Sequence, residues 1–328
     1  MKSPPAESEA SVMPDGISPG KQKPRRRESS VVRLAKQFPF RTIVVATDFS
    51  EESSAALRCA QAIAKHQHAM LLLVHVIDPV CYAFPNGAPP SVDHDAAAHE
   101  ELTRIETEVR QQGIPVHSKI ETGIVCERIL LSLRDHKAAL LVLGTKAITG
   151  AGRAALGALT RRLLAHSPCP ILTVAPDTPG QPRRFAAWNN ILVGTDFSAA
   201  SLNALQYAQR IAGNHLIVLH SARCGRHLEC PNCLERLRFL APFNEQHGLP
   251  VDHTVTGGEP AGVIIEAAQR LHPDLIVLGG PSPAHDERDL DSSTVVKVIS
   301  SVSAPVLIVP EGRTRHAEEV IEEVEQVG

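Results

Sequence analysis

The tetrapeptide Thr-Asp-Phe-Ser occurs twice, at positions 47–50 and 195–198. Each copy leaves an unbroken aliphatic run and leads into an Ala/Leu-rich stretch. An aspartate between a strand and a helix can hold a polar ligand at the carboxyl end of a sheet. The serine that follows it, Ser50 or Ser198, can cap the helix. Asp48 and Asp196 are therefore candidate binding residues, and the alternative for both is a capping task. A second group with chemical potential is Cys224, His227, Cys230 and Cys233, each separated from the next by two residues. Thiolate and imidazole suit zinc, although the spacing departs from the two widely separated pairs of common zinc fingers. Two other readings of the cluster stand beside zinc. One is a redox pair, Cys230 and Cys233, activated by the start of a helix near Leu234; the other is a thiol-bearing loop with no task. The matching region of the first copy holds only Cys81.

The elements that must position these residues are themselves duplicated. The segments beginning at Ile43 and Ile191 agree at 13 of 22 positions without a gap. Three further landmarks recur in the same order: LLLVHVIDP with LIVLHSARC, ALLVLGT with DLIVLGG, and SPCPILTVAP with SAPVLIVPE. Ordered self-similarity over this distance is the mark of a copied domain rather than a short solenoid repeat. Each copy reads strand, helix, strand, long loop, then three helix–strand pairs. Apolar runs without alternation predict parallel strands covered on both faces. Ala56, Leu57, Ala60, Ile63 and Ala64 recur at helical spacing and predict the sheet-facing side of the first helix. Val116–Gly123 and Val251–Gly258 read as third strands, with Gly123 and Gly257 turning the chain into the next helix. Pro170 and Pro305 precede the final strands, which suits a strand start or an edge position. Alternation of strands and helices predicts α/β architecture, two three-layer domains with right-handed crossovers.

Composition narrows the function. The 328 residues hold 43% apolar but only 3% aromatic side chains, which disfavours a base-stacking nucleic-acid platform. Net charge is −3, and the one basic run is Lys21–Arg27. That run lies in a Pro/Ser-rich segment, 1–38, that reads as a disordered tail. No apolar run is long enough to span a bilayer, and no apolar core follows the basic residues as a secretory signal requires. Seven scattered cysteines do not form a disulfide framework, so a reducing cytoplasm is the expected location. Segment 178–188 reads as a linker between domains at 39–177 and 189–311, and 312–328 as an acidic tail with helical potential. No Walker loop, nucleophile elbow or Rossmann glycine fingerprint occurs. His75 and His220 end second strands and read as satisfied strand-end histidines.

With its Thr-Asp-Phe-Ser motif, its VHV second strand, LVLGT and SPCPILTV, the chain resembles the universal stress protein family, as two tandem units covering nearly everything between the tails. The resemblance implies flavodoxin-like (adenine nucleotide alpha hydrolase-like) domains, each with a five-stranded parallel sheet. It also implies dimerisation through the last strand, hence intramolecular pairing of the two units here, with a higher homo-oligomer left open. One subgroup binds ATP through a G-x2-G-x9-G-[S/T] loop, in which glycines admit phosphates and the last two residues open a helix. In the first unit Gly144 and Gly157 match the first and third glycines, Thr145 and Lys146 follow Gly144, and Ala147 and Ala158 break the pattern. In the second unit Gly279 and Ser293 match, Ser282 and Ser292 replace glycines, and Asp286, Glu287, Asp289 and Asp291 crowd the loop. The expectation is weak or vestigial ATP binding centred on the first unit, with no membrane or nucleic-acid partner. No residue pair forms a persuasive nucleophile and base, so a regulatory binding module is favoured over a slow ATP hydrolase; a zinc or thiol sensor at Cys224–Cys233 is the other alternative.

Overall fold

In the computed structural model, the described residues are 40–78, 92–145, 157–176, 185, 188–222, 232–242, 249–281 and 293–311, the side chains of 92–95 excepted. Both tails, the acidic loop at 286–291, and Cys224, His227 and Cys230 lie outside them.

Aliphatic runs form the strands the sequence predicts. In the first half these are β1 (Thr42–Ala46), β2 (Met70–Ile77), β3 (Val116–Thr122), β4 (Leu140–Gly144) and β5 (Ile171–Val174). Between them lie α1 (Glu51–Gln67), α2 (Val92–Gln111), α3 (Val125–Asp135) and α4 (Ala158–His166). The second half repeats the order with β6 (Asn190–Thr195), β7 (His215–Ala222), β8 (Val251–Gly257), β9 (Leu275–Gly279) and β10 (Val306–Val309). Its helices are α5 (Ala199–Ile211), α6 (Cys233–Leu240), α7 (Pro260–Leu271) and α8 (Thr294–Ile299).

All ten strands belong to one sheet, in the order β3-β2-β1-β4-β5-β10-β9-β6-β7-β8. Every pairing is parallel except the central one, where β5 and β10 run antiparallel with Leu172 opposite Leu307. Side chains alternate across the sheet, so each face acquires its own core. Ile43, Val45 and Leu172 pack with α1, α2, α5 and α6 on one face, whereas Val44, Ile171 and Ile308 pack with α3, α4, α7 and α8 on the other. The result is the predicted three-layer α/β arrangement. Ala56, Ala60, Ile63 and Ala64 are buried as their spacing required, with Leu57 partly buried beside them.

Three details refine the expectation. Pro170 and Pro305 precede β5 and β10, which lie at the middle of the sheet rather than at an edge. Proline is tolerated there because only its carbonyl is used: Pro170 O accepts from Leu141 N and Pro305 O from Ile276 N, both at 3.0 Å. The turn glycine of the second half is Gly258, φ 142°, matching Gly123 at 139°, while Gly257 ends β8 as ordinary strand. Finally, the linker-like segment is anchored at its end, because Trp188 is buried in the core and its carbonyl accepts from Gly213 N at 2.8 Å.

Candidate functional site

Each Thr-Asp-Phe-Ser tetrapeptide folds into the same hydrogen-bonded turn. Asp48 Oδ1 accepts from Ser50 N at 3.1 Å and from the Ser50 hydroxyl at 2.5 Å. Ser50 Oγ in turn accepts from Ser53 N and caps α1. In the second half Asp196 Oδ1 accepts from Ser198 N at 3.0 Å, and Ser198 caps α5. The serines thus cap the helices as their type predicts, and each aspartate bonds the capping serine rather than capping the helix itself.

Between them sits a residue that sequence reasoning missed. Phe49 and Phe197 have φ of 62° and 65°, in the left-handed region that a bulky side chain rarely visits. Such a conformation costs on the order of 1–3 kcal/mol and persists only where its surroundings hold it. Here Thr47 Oγ1 accepts from Phe49 N, and Thr195 Oγ1 from Phe197 N, both at 3.1 Å. The Phe49 ring stacks on His75 at 4.5 Å between centroids, and Phe197 lies 4.4 Å from His220 with the Arg236 guanidinium 4.4 Å over its face. His75 Nδ1 meets Thr47 O, and His220 Nδ1 meets Thr195 O, both at 2.8 Å. A carbonyl only accepts, so Nδ1 carries the proton in each ring. The two histidines are satisfied strand-end residues, as expected, and they also brace the strained turn.

Burial works to raise the pKa of Asp48, but the bonds from Ser50 outweigh it and hold the carboxyl below its ordinary value of 3.8. Asp196 follows the same balance, with Ser198 supplying the lowering bonds. A depressed folded pKa contributes stability that is present above the unfolded value and lost as pH falls through the folded one. The Asp48→Asn/Asp196→Asn double variant should therefore unfold at lower urea than the parent at pH 7, with the gap closing as pH drops below about 3.8.

The glycines at the ends of β4 and β9 lie against these turns. A Cβ on Gly144 would stand 2.3 Å from the Glu52 carbonyl carbon and 2.7 Å from Ser53 N. One on Gly279 would stand 2.6 Å from Ser201 N. Both glycines are therefore required by the close approach of a helix start, independently of any phosphate. The same approach seats Gly144 against the helix that follows Asp48, and Asp196 and Gly279 line one cavity. Thr145 continues from Gly144 as a buried residue whose N–H donates to Val174 O at 2.9 Å. Gly157 caps α4 without a side chain, whereas Ser293 Oγ accepts from Val296 N and caps α8. Lys146 lies outside the described residues.

In the second half these groups border a cavity of about 480 Å³ at the carboxyl ends of β6, β7 and β9. Its wall includes Asp196, Ser198, His220, Gly279 and Thr294, together with apolar Leu278 and Ile264. The volume falls in the range of about 300–1,000 Å³ usual for small-molecule sites. A larger cavity, about 580 Å³, lies at the amino ends of β6, β9 and β10 beside Trp188 and His272. Its carboxylate, Asp274, accepts from Asn189 N and Asn190 N.

Of the cysteines, Cys59, Cys126 and Cys169 are buried, as expected of small apolar residues, and burial pushes the Cys169 thiol up to about 11. Cys233 is disulfide-bonded. A disulfide sulfur offers a metal no thiolate. Among the described residues no group of three or more His, Cys, Asp or Glu is placed to hold a metal, and no helix is long and apolar enough to cross a membrane.

The model of the universal stress protein family matches residues 39–175 and 233–310. A universal stress protein of Mycolicibacterium smegmatis is 27% identical over 299 residues, covering 81% of this chain and 96% of its own. One from Thermus aquaticus is 33% identical over 143 residues, covering 41% of this chain and 98% of its own. Among solved structures, a universal stress protein from Archaeoglobus fulgidus superimposes with a TM-score of 0.68 at 19% identity, covering 83% of this chain and 99% of that one.

Proposed function

The chain belongs to the universal stress protein family, and from that premise we propose a cytoplasmic regulatory module that binds an adenine nucleotide at the carboxyl ends of its strands. The cavity beside Asp196 and Gly279 carries this reading. A carboxylate there can accept from ribose hydroxyls or the adenine amino group, and the rest of the wall supplies hydroxyls and apolar surface. In the first half the corresponding residues are Asp48, Gly144, Thr145 and Gly157, with Lys146 and Arg153 adding positive charge along the sequence. The antiparallel β5–β10 seam supports treating the two units, 39–177 and 189–311, as an intramolecular pair. The reading assigns no catalysis.

The disulfide at Cys233 favours, as a second reading, a thiol redox function for the cysteine loop over a zinc site. One measurement addresses both. Native mass spectrometry of the whole chain should show bound ATP or AMP, or acquire it when adenine nucleotide is added. Treatment with a dithiol should add the mass of two hydrogens without removing nucleotide. A chain that acquires no adenine ligand at millimolar nucleotide overturns the binding reading, and an unchanged mass after reduction overturns the redox one.

A further inference from the structure

The larger cavity, about 580 Å³ at the amino ends of β6, β9 and β10, lies at the other end of the strands from Asp196. Its wall can be compared position by position with the first half, because the two halves keep one register there. Ala139 N donates to Thr42 O, and Asp274 N to Asn190 O. Leu141 N donates to Pro170 O, and Ile276 N to Pro305 O. The same offset lays α3 on α7, with Ile129 and Ile264 both buried and Lys137 and His272 both left-handed, at φ 46° and 44°.

Four lining positions have changed character between the halves. Ala268 stands where the first half has Leu133, and Ala304 where it has Cys169. Leu133 and Cys169 are buried in the core on their face of the sheet. The second half has therefore lost the branched end of one side chain and the sulfur of another from a single wall. Asp274 stands where the first half has Ala139, and Trp188 where it has Phe40. Two changes remove bulk, two bring a carboxylate and an indole, and all four residues line the cavity. Cores pack closely, so truncation alone only costs stability. Space opened beside new polar and aromatic groups is what a small-molecule site requires.

The chemistry of the wall is specific. Ala268, Val302 and Ala304 supply apolar surface beside Trp188, a setting that suits a flat ring. An ionised carboxylate offers about four acceptor positions. At Asp274, Asn189 N and Asn190 N take two of them, both on Oδ2, at 3.0 and 2.9 Å. Asp274 is exposed and retains capacity to accept from a ligand. Gln269 adds an exposed amide to the same rim.

We infer that this cavity is a second binding site, for a small planar aromatic molecule that carries hydrogen-bond donors on its edge. The ring occupies the space beside Ala268 and Ala304 and lies against Trp188, and its donors meet Asp274. The site is separate from the nucleotide site at the carboxyl ends and does not depend on it.

Benzamide, a ring with an amide donor, is a direct probe. Trp188 is the one tryptophan of the chain, so its fluorescence in the full chain reports occupancy. Titration should give a saturable change with a dissociation constant of about 1 mM or below, a modest affinity for so few atoms. Cyclohexanecarboxamide, which keeps the amide and loses the flat ring, should bind several-fold more weakly. Ala268→Leu restores the first-half side chain and should weaken benzamide about tenfold or more, with circular dichroism unchanged. Ser301→His, at an exposed lining position whose first-half counterpart is His166, should weaken it without disturbing the core, and serves if the leucine variant does not fold. Saturating ATP should leave benzamide bound. No saturable signal, equal binding of the two amides, undiminished binding in the folded variants, or displacement by ATP would each overturn the assignment, and none of these results would bear on whether the chain binds nucleotide.

Discussion

Replacing Gly144 with alanine should destabilise the protein by about 3 kcal/mol or more, toward the upper end of what overpacking costs. The added methyl would stand 2.3–2.7 Å from the Glu52 carbonyl carbon and oxygen and from Ser53 N. These are backbone atoms in the first turn of α1, so no rotamer change relieves the clash. The helix start must move, and with it the Ser50 cap, the Asp48 turn and the left-handed Phe49. Gly279→Ala should follow with a comparable or smaller loss, its nearest atom being Ser201 N at 2.6 Å. Gly262→Ala provides the contrast. It sits inside α7 with only Glu259 Oε2 at 3.6 Å, and alanine there should stabilise by roughly 0.5–1 kcal/mol through helix propensity. Urea denaturation separates the signs. A Gly144→Ala protein as stable as the parent would mean that the helix start is not seated on β4 as described.

This result bears on what a glycine motif means. The pattern that suggests a phosphate loop places a glycine at the end of the fourth strand, yet packing alone requires it there. Its presence in both halves therefore says little about phosphate.

The fold was legible because its signals are local and repeated. Short, β-branched aliphatic runs without alternation fit buried parallel strands, and the α1 apolar spacing fixes which side faces the sheet. Ser50 and Ser198 announce their caps by residue type. Other features left weaker marks. Nothing about Phe49 or Phe197 signals a positive φ, since glycine or asparagine is the usual occupant; only the repetition of the whole tetrapeptide hints that the turn is special. The cavity wall was missed for a different reason. Gly194, Gly280, Ser221 and Thr294 come from four separate elements, and each is unremarkable until the sheet brings them to one edge. The prolines before the last strands allowed a strand start or an edge, and the structure takes the first, using only their carbonyls.

Cutting Leu172 or Leu307 back to alanine should each destabilise by about 2–5 kcal/mol, and the whole chain should still unfold in one step. The two side chains lie opposite one another across the antiparallel β5–β10 pair, and both are fully buried. Each belongs to a core that runs without interruption from first-half residues such as Leu140 and Val142 to second-half residues such as Val277 and Val309. The other face of the seam is equally continuous, through Ile171, Val306 and Ile308, and Thr173 Oγ1 adds a bond to Val306 O at 3.2 Å. Neither half can expose its central strand without opening both cores, so loss of one should carry the other with it. Because the two leucines share one contact region, the double variant should depart from additivity by roughly 0.5–3 kcal/mol. Two well-separated unfolding transitions, or strict additivity of the two substitutions, would show that the halves are held together by the chain alone. A single transition with coupled losses would mean that a ligand at either carboxyl edge stabilises a shared structure. Adenine nucleotide bound at the proposed Asp196 site should then raise the unfolding midpoint of the first half as much as that of the second.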